Sequence, residues 1–297
     1  MFTYQINVEY LGTNFVGWQI QKNGLSVQEV LEKVLSKFLK DKIRVIGSGR
    51  TDAGVHASEQ SAHFKTKQKI LDKNIFINSI NFFLSKYPIS VISIKKRPNK
   101  FHARHSANER IYKYFIINRR SSLVLEKNKA WHIKKKLDVK VMRKGAEILK
   151  GTHNFSTFRA SSCQAKSPIK TLKKAVVKKD KNKIVSTFQS KSFLQQQVRS
   201  MVGSLKYLGE GKWNLNDFKK AFLSKKRTMC APPAPAHGLY LTKVLYLYLF
   251  KTLSKTGRTF SHLNFLMVFN ALLDAFKLKF LFLLYFKIIL IISSLFL

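Results

Sequence analysis

Carboxylates are scarce in this chain of 297 residues, where Asp and Glu number 15 against 55 Lys and Arg. One of them, Asp52, lies in Gly47-Ser-Gly-Arg-Thr-Asp-Ala-Gly54, with Arg50 two residues before it and glycine on both sides. Glycines let a backbone come close to a bulky ligand, and a loop following a strand is a common place for a reacting group. A turn Asp that bonds its own backbone fits the same spacing, so spacing alone leaves both readings open. Nucleotide-cofactor readings are excluded more firmly. The third glycine of a GxGxxG fingerprint falls on Asp52, and no Gly-Lys-Ser/Thr of a phosphate-binding loop follows. His56, His102 and His153 lack the spacing of metal ligands, so no metal is expected. Cys163 and Cys230 can build neither a disulfide framework nor a CxxC site; they suit a reducing cytosol and read as core or incidental.

The charge surrounding that carboxylate is one-sided. A formal net charge of +40 points to a polyanionic partner, either nucleic acid or an anionic membrane surface, with codon bias toward Lys as a third source. It names a partner class and no reaction. With 45% hydrophobic and 12% aromatic residues the chain can build a packed core, and its length fits two domains or two lobes. The N-terminus has neither the basic region nor the apolar run of a signal peptide.

The elements that must position these residues follow from periodicity. Phe2, Tyr4, Ile6, Val8 and Tyr10 alternate with polar residues as a half-buried strand. Ser26 stands three residues before Glu29 as a helix cap, and apolar residues from Val27 to Leu39 follow at helical spacing. Short strands are expected over 43–46 and 60–64, a helix capped by Asp72, and a strand over 89–94. After the polar stretch from Pro98 to Ser106 come a strand over 110–118 and a helix opened by Asp138 and ended by Gly151. Strands over 169–177 and 183–188 flank a turn. A helix capped by Ser192 and ended by Gly209 and Gly211, a helix near 216–223, the loop Pro232-Pro-Ala-Pro235 and a strand over 239–246 complete the set. Interleaving without a regular βαβ repeat reads as α+β, with mixed or antiparallel sheets and helices packed on one face.

The segment from about Phe265 is different in kind, being dense in Leu, Phe and Ile. Leu278 to Leu297 approaches the roughly 20 apolar residues that span a bilayer, but Lys287 near its middle would cost about 2.5 to 3.5 kcal/mol on insertion. Residues 251–297 hold six Lys or Arg and one acid, so +35 of the +40 belongs to residues 1–250. An anchor and an unrelated extension are both open readings of this tail.

Gly49-Arg-Thr-Asp-Ala-Gly-Val-His-Ala57 resembles the signature of the tRNA pseudouridine synthase A family. Collinear matches support it. They are Gly17-Trp-Gln19, Val27-Gln28, Phe101-His-Ala-Arg104, Tyr112-Lys-Tyr114, Gly151 to Phe158, Phe193-Leu194, Val198-Arg-Ser-Met-Val-Gly203, Ala234-Pro-Ala236 and Gly238-Leu-Tyr-Leu241. The resemblance covers residues 1 to about 247. Two departures are local: His105 replaces an aromatic Phe, and Gln195-Gln-Gln197 replaces a run that contains His. The resemblance implies an α+β pseudouridine synthase fold of two α/β lobes, 1–103 carrying the catalytic loop and 104–247, meeting at a basic cleft, with 248–297 as an apolar tail. It further implies isomerisation of uridine to pseudouridine at positions 38, 39 and 40 of the tRNA anticodon arm, with no cofactor, by a cytoplasmic homodimer. Asp52 would be the nucleophile, Arg199 its charge partner and Tyr112 the ring stacked on the base. Arg50 would hold phosphate or the flipped nucleotide. The rival classes are a non-catalytic basic RNA-binding protein and a membrane-associated protein held by Leu278 to Leu297.

Overall fold

The computed structural model describes residues 1–246. In chain order the elements are β1 (Phe2–Tyr10), α1 (Val27–Leu39), β2 (Ile46–Gly47), β3 (His56–Thr66), α2 (Lys73–Leu84), β4 (Ile89–Arg97), β5 (Glu109–Asn118) and β6 (Trp131–Ile133). They continue with α3 (Val139–Ile148), β7 (Gly151–Asn154), β8 (Ile169–Asp180), β9 (Lys183–Ser190), α4 (Gln197–Gly209), α5 (Leu215–Leu223) and β10 (Leu239–Leu245). The α+β expectation holds, and the ten strands of the described residues join one sheet in the order β4-β1-β3-β10-β5-β9-β8-β7, with β2 on β3 and β6 on β5.

Strands from before residue 100 and strands from after it meet at one seam. There β10 pairs antiparallel with β5 on one side and parallel with β3 on the other, the latter through only Tyr240 with His56 and Leu241 with Ala57. The seam therefore lies where the glycine-rich loop enters β3.

Helix α1 forms because Val27, Val30, Leu31, Leu35 and Leu39 share one buried face and the Ser26 hydroxyl accepts the Glu29 N–H at 3.2 Å. Asp72 and Asp138 cap α2 and α3 in the same way. Helix α4 is buried nearly all round, down to Ser200 and Ser204, because α3, α5 and the Pro232–Pro235 segment surround it.

Several sequence expectations are corrected. The residues 43–45 make no strand, because their backbone groups bond to α1 side chains instead. Ile43 N–H donates to Ser36 Oγ at 2.9 Å, Val45 N–H to Glu32 Oε1 at 2.9 Å, and Val45 O accepts from Gln28. Ser192 does not cap α4. Residues 192–196 run as a loop, Gln196 takes a left-handed φ of 58°, and the helix opens at Gln197, whose Oε1 accepts the Leu194 N–H at 2.8 Å. Strand β1 is not half-buried, since it lies between β3 and β4 with Thr3 and Gln5 also covered. Gln5 is satisfied there by Ser61 and Arg97, under a lid of Phe101 and Tyr246. Helix α3 stops at Ile148, and Gly151 instead opens β7. Strands β6 and β7 are additions to the expected set. The tail reading lies outside the described residues.

Candidate active site

The loop Ser48–Val55 is held by its backbone and by small polar side chains. Ser48 N–H donates to Ser61 O at 2.8 Å, and the fully buried Gln60 accepts the Ser48 hydroxyl at 2.7 Å while donating to Gly49 O at 2.8 Å. The hydroxyls of Tyr10 and Thr51 meet at 2.8 Å. From the other side Trp18 N–H donates to Thr51 O at 3.1 Å. Gly17 has φ +114°, and a Cβ there would stand 2.6 Å from Thr51 O, so only glycine lets this backbone lie so close. The exit is fixed by buried His56, whose Nδ1 accepts the Gly12 N–H at 2.9 Å while Nε2 faces the carbonyls of Asn128 and His237 at 3.0 Å each. With its neighbours anchored, the Asp52 side chain is free to face a cavity.

Arg199 of α4 brings Nη1 to 3.8 Å from Asp52 Oδ2, while its Nε donates to Ala234 O at 2.7 Å. At that separation the pair is electrostatic and not hydrogen-bonded. Burial pushes the Asp52 carboxyl above its ordinary value, and Arg199 pulls it back only in part. The cavity, of about 780 Å³, is lined by Arg50, Asp52 and Tyr112 together with Arg104, Arg110 and residues 192–198. Arg199 is not on its wall but behind Asp52.

Tyr112, on β5, is 9% exposed, with its ring edge-on to Phe193 at 5.1 Å. Burial raises its hydroxyl to about 12, Arg110 lowering it and Asp52 raising it, so the phenol keeps its proton at neutral pH. Arg50 is exposed at the rim. The four singled-out residues thus come to one place, three on the wall and one behind it.

Three further residues were not anticipated. Arg110, two residues before Tyr112 on the same face of β5, is 8% exposed and donates to four backbone carbonyls, those of Ser48, Arg104, Ala107 and Lys191. It ties the start of the loop to the segments before β5 and α4. A lone cation on the strand face shared with Tyr112, Tyr114 and Ile116 was the available signal. Gln197 opens α4 and leaves Nε2 without a partner in the described structure. Cys163 belongs to the buried core, as expected, and also borders the cavity. The histidines divide: His56 is a buried anchor, His153 packs on Phe155 and Phe222, and His102 stands between His63 and His105, with ring separations of 4.9 and 4.3 Å.

A family model described as tRNA pseudouridine synthase matches residues 6–106 and 146–247. A protein of Pelagibacter ubique named tRNA pseudouridine synthase A is 61% identical over 246 residues, covering 83% of this chain and all of the relative. Proteins of the same name from Xanthobacter autotrophicus and Beijerinckia indica are 44% and 45% identical over 243 residues, 82% of this chain and 99% and 93% of theirs. The matched stretches include Arg50, Asp52 and Arg199, and Tyr112 falls in the interval between them. On a likeness that runs through the loop, α4 and β10, the chain belongs to the tRNA pseudouridine synthase family.

Proposed function

We propose that this chain isomerises uridine to pseudouridine in tRNA, at positions 38, 39 and 40 of the anticodon arm, with Asp52 as nucleophile. The observation that carries the reading is the Asp52 carboxylate facing a cavity with Tyr112 on its wall and Arg199 behind it. In the reaction the N1 to C1′ bond breaks, the base turns, C5 joins C1′, and the C5 hydrogen leaves as a proton while N1 takes one up, so the composition is unchanged. Nothing is oxidised, so an ionised carboxylate suffices and no cofactor is required. Flipping the nucleotide costs a few kcal/mol and stacking on an aromatic ring returns about 1 to 3, which is the task we assign to Tyr112. Arg50 and Arg104, both exposed and both lining the cavity, suit the phosphates that flank the flipped nucleotide.

We read residues 1–103 and 104–247 as two lobes closing on the arm, and the working enzyme as a cytoplasmic homodimer in which one tRNA touches both subunits. The family resemblance supports that assembly, and light scattering in solution tests it. The reaction is tested by tritium release from tRNA labelled at uridine C5. Wild type should release tritium, and Asp52→Ala should lower the rate by at least about three orders of magnitude. Full release by Asp52→Ala would end the assignment. Mapping pseudouridine in the product checks the positions.

A further inference from the structure

Arg199 is aimed at Asp52 by a segment that the reaction does not otherwise involve. Ala234 N–H donates to Arg199 O at 2.9 Å, and Ala234 O accepts Arg199 Nε at 2.7 Å, so one residue holds both the backbone and the guanidinium. With Nε engaged, the fork is turned so that Nη1 faces Asp52. Ala234 belongs to Pro232–Gly238, a strap without α-helix or strand of its own, and its position depends on what pins it.

The pin is Tyr114. It is fully buried on β5, two residues beyond Tyr112, and its hydroxyl donates to Pro235 O at 2.7 Å. Gly238 lies flat on the same ring, where a Cβ would come within 2.5 Å of a ring carbon. Tyr114 touches neither the cavity wall nor Asp52. Its hydroxyl is one residue along the strap from the carbonyl that orients Arg199. Burial raises the Tyr114 hydroxyl far above its ordinary value, with Arg199 lowering it, so it stays a donor at any working pH.

We propose that Tyr114 is a positioning residue for the isomerisation, holding the Ala234–Pro235 strap so that Arg199 stands behind Asp52. This rests on the assignment of Asp52 and Arg199 made above. A core tyrosine with no such role would affect melting and yield alone. A positioning role has a further signature, because an Arg199 that drifts away withdraws its charge and lets the Asp52 carboxyl rise further. The nucleophile must be ionised, so the acid limb of the rate profile would move to higher pH.

The groups around Asp52 are Arg199 from α4, Tyr112 and Arg110 from β5, Arg50 from its own loop and Arg104 from the linker. His237 on the strap is titratable, and burial lowers it, so His237→Asn serves as a control that should leave the limb in place.

The experiment measures kcat, KM for tRNA and the pH dependence of kcat by C5 tritium release with the full chain, normalised to the folded fraction from melting curves. For Tyr114→Phe, kcat should fall roughly tenfold, the scale of one lost hydrogen bond, with KM unchanged and the acid limb displaced upward. Gly238→Ala, which displaces the ring and keeps the hydroxyl, should give the same pattern and serves if Tyr114→Phe melts too low to assay. Tyr114→Phe combined with Arg199→Lys should cost little more than Arg199→Lys alone. A stationary acid limb, a loss confined to KM, or additive losses would overturn the proposal while leaving Asp52 intact as nucleophile. An active Asp52→Ala would overturn the parent reading instead.

Discussion

Burial and Arg199 act on the Asp52 carboxyl in opposite directions, and burial prevails. The linkage sign follows. An acid whose folded pKa is raised contributes full stability only below its unfolded value, and loses it as pH climbs through the folded one. At neutral pH the ionised Asp52 therefore weakens the fold that it serves, as reacting groups often do. Asp52→Asn should be inactive yet melt at a higher temperature than wild type at pH 7, with the difference closing in acid; calorimetry across pH checks this. Of this site, Asp52 was legible because a motif surrounds it and acids are rare. Its pairing with Arg199 could be expected only from the family resemblance, since 147 positions separate them. Arg110 was invisible as an anchor because its acceptors are carbonyls, which every residue carries. Arg110→Lys keeps the charge but loses the fork, and should lower both kcat and melting temperature, by about 1 to 3 kcal/mol in stability.

Elements that obeyed local rules were legible, and those whose backbone bonds go to distant side chains were not. The caps at Ser26, Asp72 and Asp138 act within three residues, and all three helices start where expected. The Ile43 to Val45 stretch has strand composition but lies along α1, whose Gln28, Glu32 and Ser36 take backbone groups of Ile43 and Val45, and pairing begins only at Ile46. Ser192 has cap composition, yet its loop continues to Gln196 and walls the cavity. The Gly17-Trp18 turn shows how an element remote in sequence sets the catalytic loop. Gly17→Ala would push a methyl group against Thr51 O at a φ that disfavours a side chain. About 1 to 3 kcal/mol of stability should be lost, together with activity, because the displaced group carries Asp52's neighbour. Urea unfolding and the tritium assay read the two losses.

For the whole molecule the charge is the governing quantity. A chain with a net charge of +40 should bind tRNA by releasing counterions, so affinity should fall by about 10³-fold or more between 50 and 200 mM salt if six or more phosphates are neutralised. Filter binding against salt gives the slope. Asp52→Asn should leave that slope unchanged, because attraction and chemistry reside in different residues. A chain ended after Leu247 retains every residue assigned a task here and should keep full activity.

The seam at β10 carries a consequence for synthesis. His56, which fixes the exit of the Asp52 loop, faces the carbonyl of a residue 181 positions later, and β3 and β5 have no strand between them until Leu239–Leu245 arrives. A nascent chain short of that point carries most of the lysines and leaves β3 open at His56–Ala57 and β5 open at Glu109–Tyr114, without the fully anchored nucleophile. Such a chain is expected to hold RNA without modifying it, which filter binding and the tritium assay on a chain ended before Leu239 would check. Activity should switch on only when β10 is complete, which makes that strand a test of whether synthesis has passed residue 245.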